Sequence, residues 1–168
     1  IAHAGDIDII HSHDWLTYPA RIFAKQLSGK PLVIHVHATD FDRSRGNVNP
    51  DVYAIERRGM DMSDHIITVS DLTRRTVIEK YGQPEHKVTT VHNAVYPMED
   101  RDQYKKNERK DKIVTFLGRI TMQKGPEYFI EAAKRVLDRT RNVRFCFAGS
   151  GDMMNAMIEM AAAYGIAD

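Results

Sequence analysis

The sequence predicts an α/β protein in two parts, each built on a parallel sheet. Three observations carry this reading. Short β-branched runs alternate with helical patterns along the 168 residues. The alternation breaks once, at "PMEDRDQYKKNERKDK" (97–112), a stretch too charged to contribute to a core. The polar, glycine-bearing segments follow strands, where open parallel sheets collect their ligands.

The elements follow in order. "DIIHS" (8–12) reads as the first strand. Leu16, Ala20, Phe23, Ala24 and Leu27 then fall on one helical face, which is expected to meet the core. "PLVIHVH" (31–37) is the second strand. "NPDVYAIERRGMDMSD" reads as a helix with Asn49 as N-cap and Pro50 at its first position. "HIITVS" (65–70) is a strand, "SDLTRRTVIEKYG" a helix running from a Ser/Asp cap to Gly82, and "KVTTVHN" (87–93) a further strand. Past the charged stretch come strand "KIVTFLG" (112–118), a helix from Pro126 to about Leu137, strand "VRFCFAG" (143–149) and a helix from Asp152 to about Tyr164. Phe129, Ile130, Ala133, Val136 and Leu137 give the first of these helices its apolar stripe. Helices are expected on both faces of each sheet.

Composition excludes some functions. The net charge is +1, with 24 basic and 23 acidic residues, so no global field draws nucleic acid or a membrane surface. No apolar run is long enough for stable membrane insertion, and no signal peptide is visible. Cys146 stands alone in the apolar "FCFAG" and is expected to be a reduced core residue, which suits a cytoplasmic protein. The first residue is Ile1 and "IAHAGD" resembles a helix tail, so the chain is expected to be a piece of a longer protein.

Three segments could carry chemistry. In "GRITMQKG" (118–125), Gly118 lets the chain turn at a strand end and Gly125 opens a helix whose first amides favour an anion. Arg119 and Lys124 set a guanidinium fork and an ammonium beside those amides, the combination that phosphate recognition wants. The plainer alternative is two cations solvating a loop. It is not a Walker A loop, since both the spacing and a Ser/Thr after Lys124 are missing. In "AGSGD" (148–152), Gly149 and Gly151 permit close approach of a ligand, or simply form a tight turn. The third group is histidine. His11 and His13 share one strand face, and so do His35 and His37. With Asp14 and Asp40 they could build a metal site of the hydrolase kind. No further ligand is spaced to complete a shell, so His11 and His35 are expected to be hydrogen-bonded interior residues, and no metal is expected.

Together "HDW", "VHATDFDRSRGNVNP", "ITVSDLTRRTV", "VHNAV", "GRITMQKG" and "AGSGD" resemble, in order and rough spacing, the family 4 glycosyltransferases of the GT-B fold and, within them, the glycogen and starch synthase-like group. The resemblance covers essentially the whole chain, and its most specific parts are the histidine loop and the Arg-x4-Lys pair. It implies two Rossmann-like halves, each incomplete. Residues 1–93 would be the second half of the N-terminal, acceptor-side domain, 94–112 a charged inter-domain linker, and 113–168 the first half of the domain that binds the nucleotide sugar. His37 matches the catalytic histidine that reaches the donor sugar, and Arg119 and Lys124 match the pair that neutralises the departing diphosphate. Asp40, Gly118, Gly149 and Gly151 are further candidates for ligand contact. The implied reaction is retaining transfer of a hexose, with glucose the natural choice, from a UDP- or ADP-sugar to a saccharide acceptor such as a glucan, without cofactor or metal. Ala94 departs from the family's usual glycine.

The family's glycine-rich donor loop and its paired glutamates are expected to lie upstream of Ile1 and beyond Asp168. The 168 residues by themselves are therefore expected to be inactive and to self-associate through apolar strand faces such as those of "PLVI" and "RFCFAG". Two alternatives remain open at the level of sequence: a metal-dependent hydrolase using the His-x-His pairs, and a noncatalytic sugar- or nucleotide-binding module.

Overall fold

The structure is a computed structural model that describes residues 6–97 and 112–167. It divides into two compact units, Ile1–Tyr96 and Pro97–Asp168. Most of the expected linker lies outside the described residues.

The first unit is a parallel sheet of β1 (Ile10–His13), β2 (Leu32–Val36), β3 (His65–Thr68) and β4 (Val88–Thr90), in that spatial order. Between the strands run α1 (Tyr18–Ser28), the one-turn α2 (Asp40–Arg43), α3 (Pro50–Met62) and α4 (Asp71–Tyr81). The helix starts are those the sequence marks. Asn49 Oδ1 accepts the amides of Asp51 at 2.9 Å and Val52 at 3.4 Å, and Ser70 Oγ accepts that of Thr73 at 3.1 Å. Gly82 ends α4 in the left-handed region, at φ 69°.

A sheet whose strands follow chain order 1-2-3-4 steps always in one direction. Right-handed crossovers then place every helix on the same side. That side holds the core: Ile10, Leu32, Ile34, Val36, Ile66 and Val88 from the sheet against Tyr18, Ile22, Ala24, Met60, Val77 and Tyr81 from the helices. Among the described residues the other face carries no helix, so cover on both sides is not seen, and the face is left open as expected of an incomplete half. His11, Val33, His35 and Ile67 belong to it, and none of them is fully buried.

Helix α1 corrects an expectation. Its buried residues are Tyr18, Ile22 and Ala24, whereas Leu16 just before it and Phe23 and Leu27 within it are 75%, 60% and 66% exposed. Both sides of this helix are apolar enough to form a core. The side that packs is the one whose Tyr18 ring lies against Gly59 of α3.

The second unit pairs β5 (Lys112–Leu117) with β6 (Val143–Ala148) in parallel, joined through α5 (Pro126–Leu137) and followed by α6 (Met154–Ala163). The last helix starts two residues later than the sequence suggests, after a turn at Asp152 and Met153. Phe116, Phe129, Phe145 and Phe147 meet ring to ring between sheet and α5, with centroids 5.0–5.6 Å apart. Ile120, Ile130 and Met157 complete this core. Cys146 alternates with Phe145 and Phe147 along the strand and so takes the opposite face, where it is exposed; it is not a core residue. No helix among the described residues is long and apolar enough to cross a membrane.

Candidate active site

The histidine row follows from strand period and register. His11 and His13 point to one face of β1, His35 shares that face on β2, and parallel pairing sets His13 opposite His35. His37 follows at the end of β2. The rings form a continuous row with neighbouring centroids 4.5–5.2 Å apart from His11 through His13 and His35 to His37. His11 and His13 are exposed and His35 is half-buried, so the expectation of interior residues at His11 and His35 is corrected. Partial burial, followed by repulsion from the neighbouring imidazoles, lowers the pKa of both His11 and His35 below the usual histidine value.

His37 is exposed and held from two directions. Its backbone N–H donates to Asp14 Oδ1 at 2.9 Å, and its Nε2 lies 2.9 Å from Nδ1 of His13. Asp14 is itself unusual, with φ 53° and ψ 166°, a conformation almost confined to glycine that costs about 1–3 kcal/mol. Its surroundings enforce it. The Asp14 amide donates to His35 O at 3.1 Å, and its carbonyl accepts the Thr17 amide at 3.1 Å and the Thr17 hydroxyl at 3.0 Å. The backbone strain sits next to the histidine expected to react. The sequence marks Asp14 as a possible metal ligand; the structure makes it the residue that positions His37.

Behind His37 the charged cluster folds in on itself. Arg43 donates to Ala38 O at 2.6 Å and to Glu56 Oε1 at 2.8 Å, and its guanidinium lies 3.8 Å from Asp14 Oδ1. Asp40 is buried, and its Oδ2 accepts the Asn49 amide at 2.7 Å. Through this oxygen its carboxylate holds the loop. Asp42 accepts the amide and hydroxyl of Thr39 at 2.7 and 2.9 Å and so caps the short α2. Glu56, a residue the sequence reading passes over, ties the assembly to α3; its only sequence signal is a carboxylate on the side of a helix otherwise given to core contacts.

In the second unit, the loop 118–125 is clipped to the loop 148–152. Gly118 N–H donates to Ala148 O at 3.1 Å, Ile120 N–H to Ser150 O at 2.8 Å, and Met153 N–H back to Ile120 O at 3.1 Å. The two backbones approach so closely that a Cβ on Gly149 would lie 1.9 Å from Gly118 O, and one on Gly151 2.1 Å from Ile120 O. This contact between loops leaves no room for a side chain at 149 or 151. Ile120 is fully buried between the two cations and anchors the segment, while Arg119 and Lys124 stay exposed. Arg119 Nη2 donates to Gln123 Oε1 at 3.3 Å, which folds the guanidinium back over the turn. Gly125 takes φ 65° as N-cap of α5, with Pro126 at its first position.

Comparison with known proteins gives this geometry a context. Residues 1–98 match the family model described as Glycosyltransferase Family 4, and residues 98–168 the model described as Glycosyl transferases group 1. An uncharacterized glycosyltransferase of Methanocaldococcus jannaschii is 30% identical over 95% of this chain and 44% of its own length. A D-inositol 3-phosphate glycosyltransferase of Gordonia bronchialis is 30% identical over 98% of this chain and 41% of its own length. A glycogen synthase of Mycobacterium tuberculosis is 26% identical over 92% and 38%. The chain thus spans less than half the length of these relatives. Among solved structures, S. aureus TarM superposes with a TM-score of 0.72 at 16% identity, over 94% of this chain and 31% of that one. The lipopolysaccharide outer core galactosyltransferase WaaB superposes at 0.55 and 17%, over 97% and 42%. These are GT-B proteins, and the parallel-sheet α/β architecture described above is theirs. By sequence and by fold, the chain belongs to glycosyltransferase family 4.

Proposed function

We propose that the protein containing this chain transfers a hexose, with retention, from a UDP- or ADP-sugar to a saccharide acceptor. The observation that carries this reading is the loop 118–125. Two exposed cations flank a buried isoleucine at the amino end of a twelve-residue helix, on backbone fixed by a second loop. A departing nucleoside diphosphate develops negative charge, and preorganised cations at a helix N-terminus stabilise it without a metal ion. His37 contacts the donor sugar, and Asp14 and His13 aim it. Gly118, Gly149 and Gly151 bring backbone rather than side chain to the donor. The names of the relatives support the chemical class, and the TarM crystal structure is a complex that includes UDP. Glucose as the sugar and a glucan as the acceptor follow the likeness to glycogen synthase.

The test is kinetic and uses the full-length enzyme. Arg119→Ala and Lys124→Ala should each lower kcat by about 10²–10³, the usual loss when one preorganised contact to a developing anion is removed. His37→Ala should abolish transfer while the protein stays folded. A change of less than about threefold for both cation variants would refute the assignment.

A further inference from the structure

Three histidines stand together on the open face of β1 and β2, and of these the transfer reaction proposed above uses only His13, as an outer contact of His37. His11, His13 and His35 each offer a ring nitrogen, and these atoms all lie within 4.8 Å of one another. A tetrahedral ion with metal–nitrogen bonds of about 2.0–2.1 Å holds its ligand nitrogens roughly 3.3 Å apart. The rings of His11 and His35 stand 8° from parallel, so binding turns them about χ2, a soft torsion, until their nitrogens face one point.

Two further details point to a ligand. Nε2 of His35 is buried and has no hydrogen-bond partner among the described residues, which is an unfavourable position for a polar nitrogen unless a ligand engages it. His13 commits Nδ1 to His37 Nε2 at 2.9 Å, which leaves its own Nε2 as the ligand atom. Metal-bound imidazoles characteristically fix their second nitrogen through such an outer contact. The Asp14 carboxylate, through Oδ1, accepts the His37 amide at 2.9 Å and lies 3.8 Å from Arg43. Among the described residues the grouped donor atoms are imidazole nitrogens alone. Such a set suits zinc, nickel or copper and is a poor one for magnesium or calcium, which take oxygen.

We propose that His11, His13 and His35 bind one divalent transition-metal ion of the zinc, nickel and copper class, with water completing its shell. The ion is not the counter-charge for the diphosphate, a role that belongs to Arg119 and Lys124. The proposal stands whether or not the transfer reading holds, because its test measures binding.

The full-length protein is stripped with a chelator and titrated calorimetrically with zinc chloride and, separately, magnesium chloride. One zinc per chain and no magnesium uptake are expected. His11→Ala and His35→Ala should each weaken zinc binding by at least about tenfold, and His86→Ala, at an exposed position outside the row, should leave it unchanged. A reading that needs no variant comes from melting: zinc, and not magnesium, should raise the Tm of the unsubstituted protein. No zinc uptake by the unsubstituted protein, or uptake undiminished when His11 and His35 are both replaced, would overturn the proposal.

Discussion

Glu56 is 2% exposed and accepts three hydrogen bonds from two helices: the Arg43 guanidinium at 2.8 Å and the Asp40 amide at 3.1 Å from α2, and the Tyr81 hydroxyl from α4. Burial, and then the contact with Glu56, pushes the Tyr81 pKa far up, so that the phenol stays a donor. Arg43 passes this order on, because it also holds Ala38 O, next to His37. Removing the carboxylate would leave the guanidinium, an amide and a phenol without their acceptor. Glu56→Ala should therefore cost about 3 kcal/mol, the usual scale for breaking a buried pair. Urea denaturation measures this, and a loss under about 1 kcal/mol would show that the network is dispensable. Much of the charge in "HVHATDFDRSRGNVNP" thus builds the loop, and His37 is the residue left exposed at the strand end. The composition of that segment marks it as functional. It does not separate reacting from supporting residues, because the deciding partner lies thirteen residues beyond Arg43 on another helix. The histidine row has the same history. Alternation within each strand is legible, but the third ligand nitrogen depends on β1 pairing with β2 so that His13 faces His35, and pairing is not written in either strand alone.

At the scale of elements, caps and strands were the most legible features, because Asn49, Ser70 and Gly82 act through local hydrogen bonds and backbone angles. Which face of a helix packs is decided at a distance. For α1 the deciding contact is Gly59, whose missing side chain makes room for the Tyr18 ring; an added Cβ would lie 2.1 Å from Tyr18 Cδ2. Tyr18 is itself buried, and Ile22 and Ala24 follow it into the core. Alanine is the better helix former by about 1 kcal/mol, so an open site would gain from the change. Here the overlap dominates, and Gly59→Ala should destabilise the protein by about 1–3 kcal/mol through overpacking. The check is a fall in Tm together with a changed near-ultraviolet signal from the tyrosines. An unchanged or higher Tm would mean that the ring simply moves aside, and that the face of α1 is set by something else.

Across the whole chain the two units differ in how much they bury. The first encloses Leu32, Ile34, Val36, Ile66, Met60, Val77, Tyr18 and Tyr81 almost completely. The second encloses Ile120, Ile130 and Met157 together with small residues. Its strands keep much of their apolar surface in water: Ile113 and Val114 are exposed, and Leu117 is 85% exposed. Each fully buried large aliphatic or aromatic side chain is worth about 1.5–3 kcal/mol, so the difference in burial outweighs any difference in capping or surface charge. Sheet geometry adds to it. In the first unit β2 and β3 each have a neighbour on both sides, whereas among the described residues β5 and β6 are paired only with each other. Opening the second unit therefore exposes less apolar surface and breaks a single ladder. Local stability is read from the exchange of backbone amides, which occurs through such openings. In the 168-residue chain at neutral pH, amides of β5 and β6 should exchange at least about tenfold faster than those of β2 and β3. Hydrogen–deuterium exchange followed by mass spectrometry resolves the two sets of peptides. Equal protection in both would show that the second unit draws its stability from a source other than its own core.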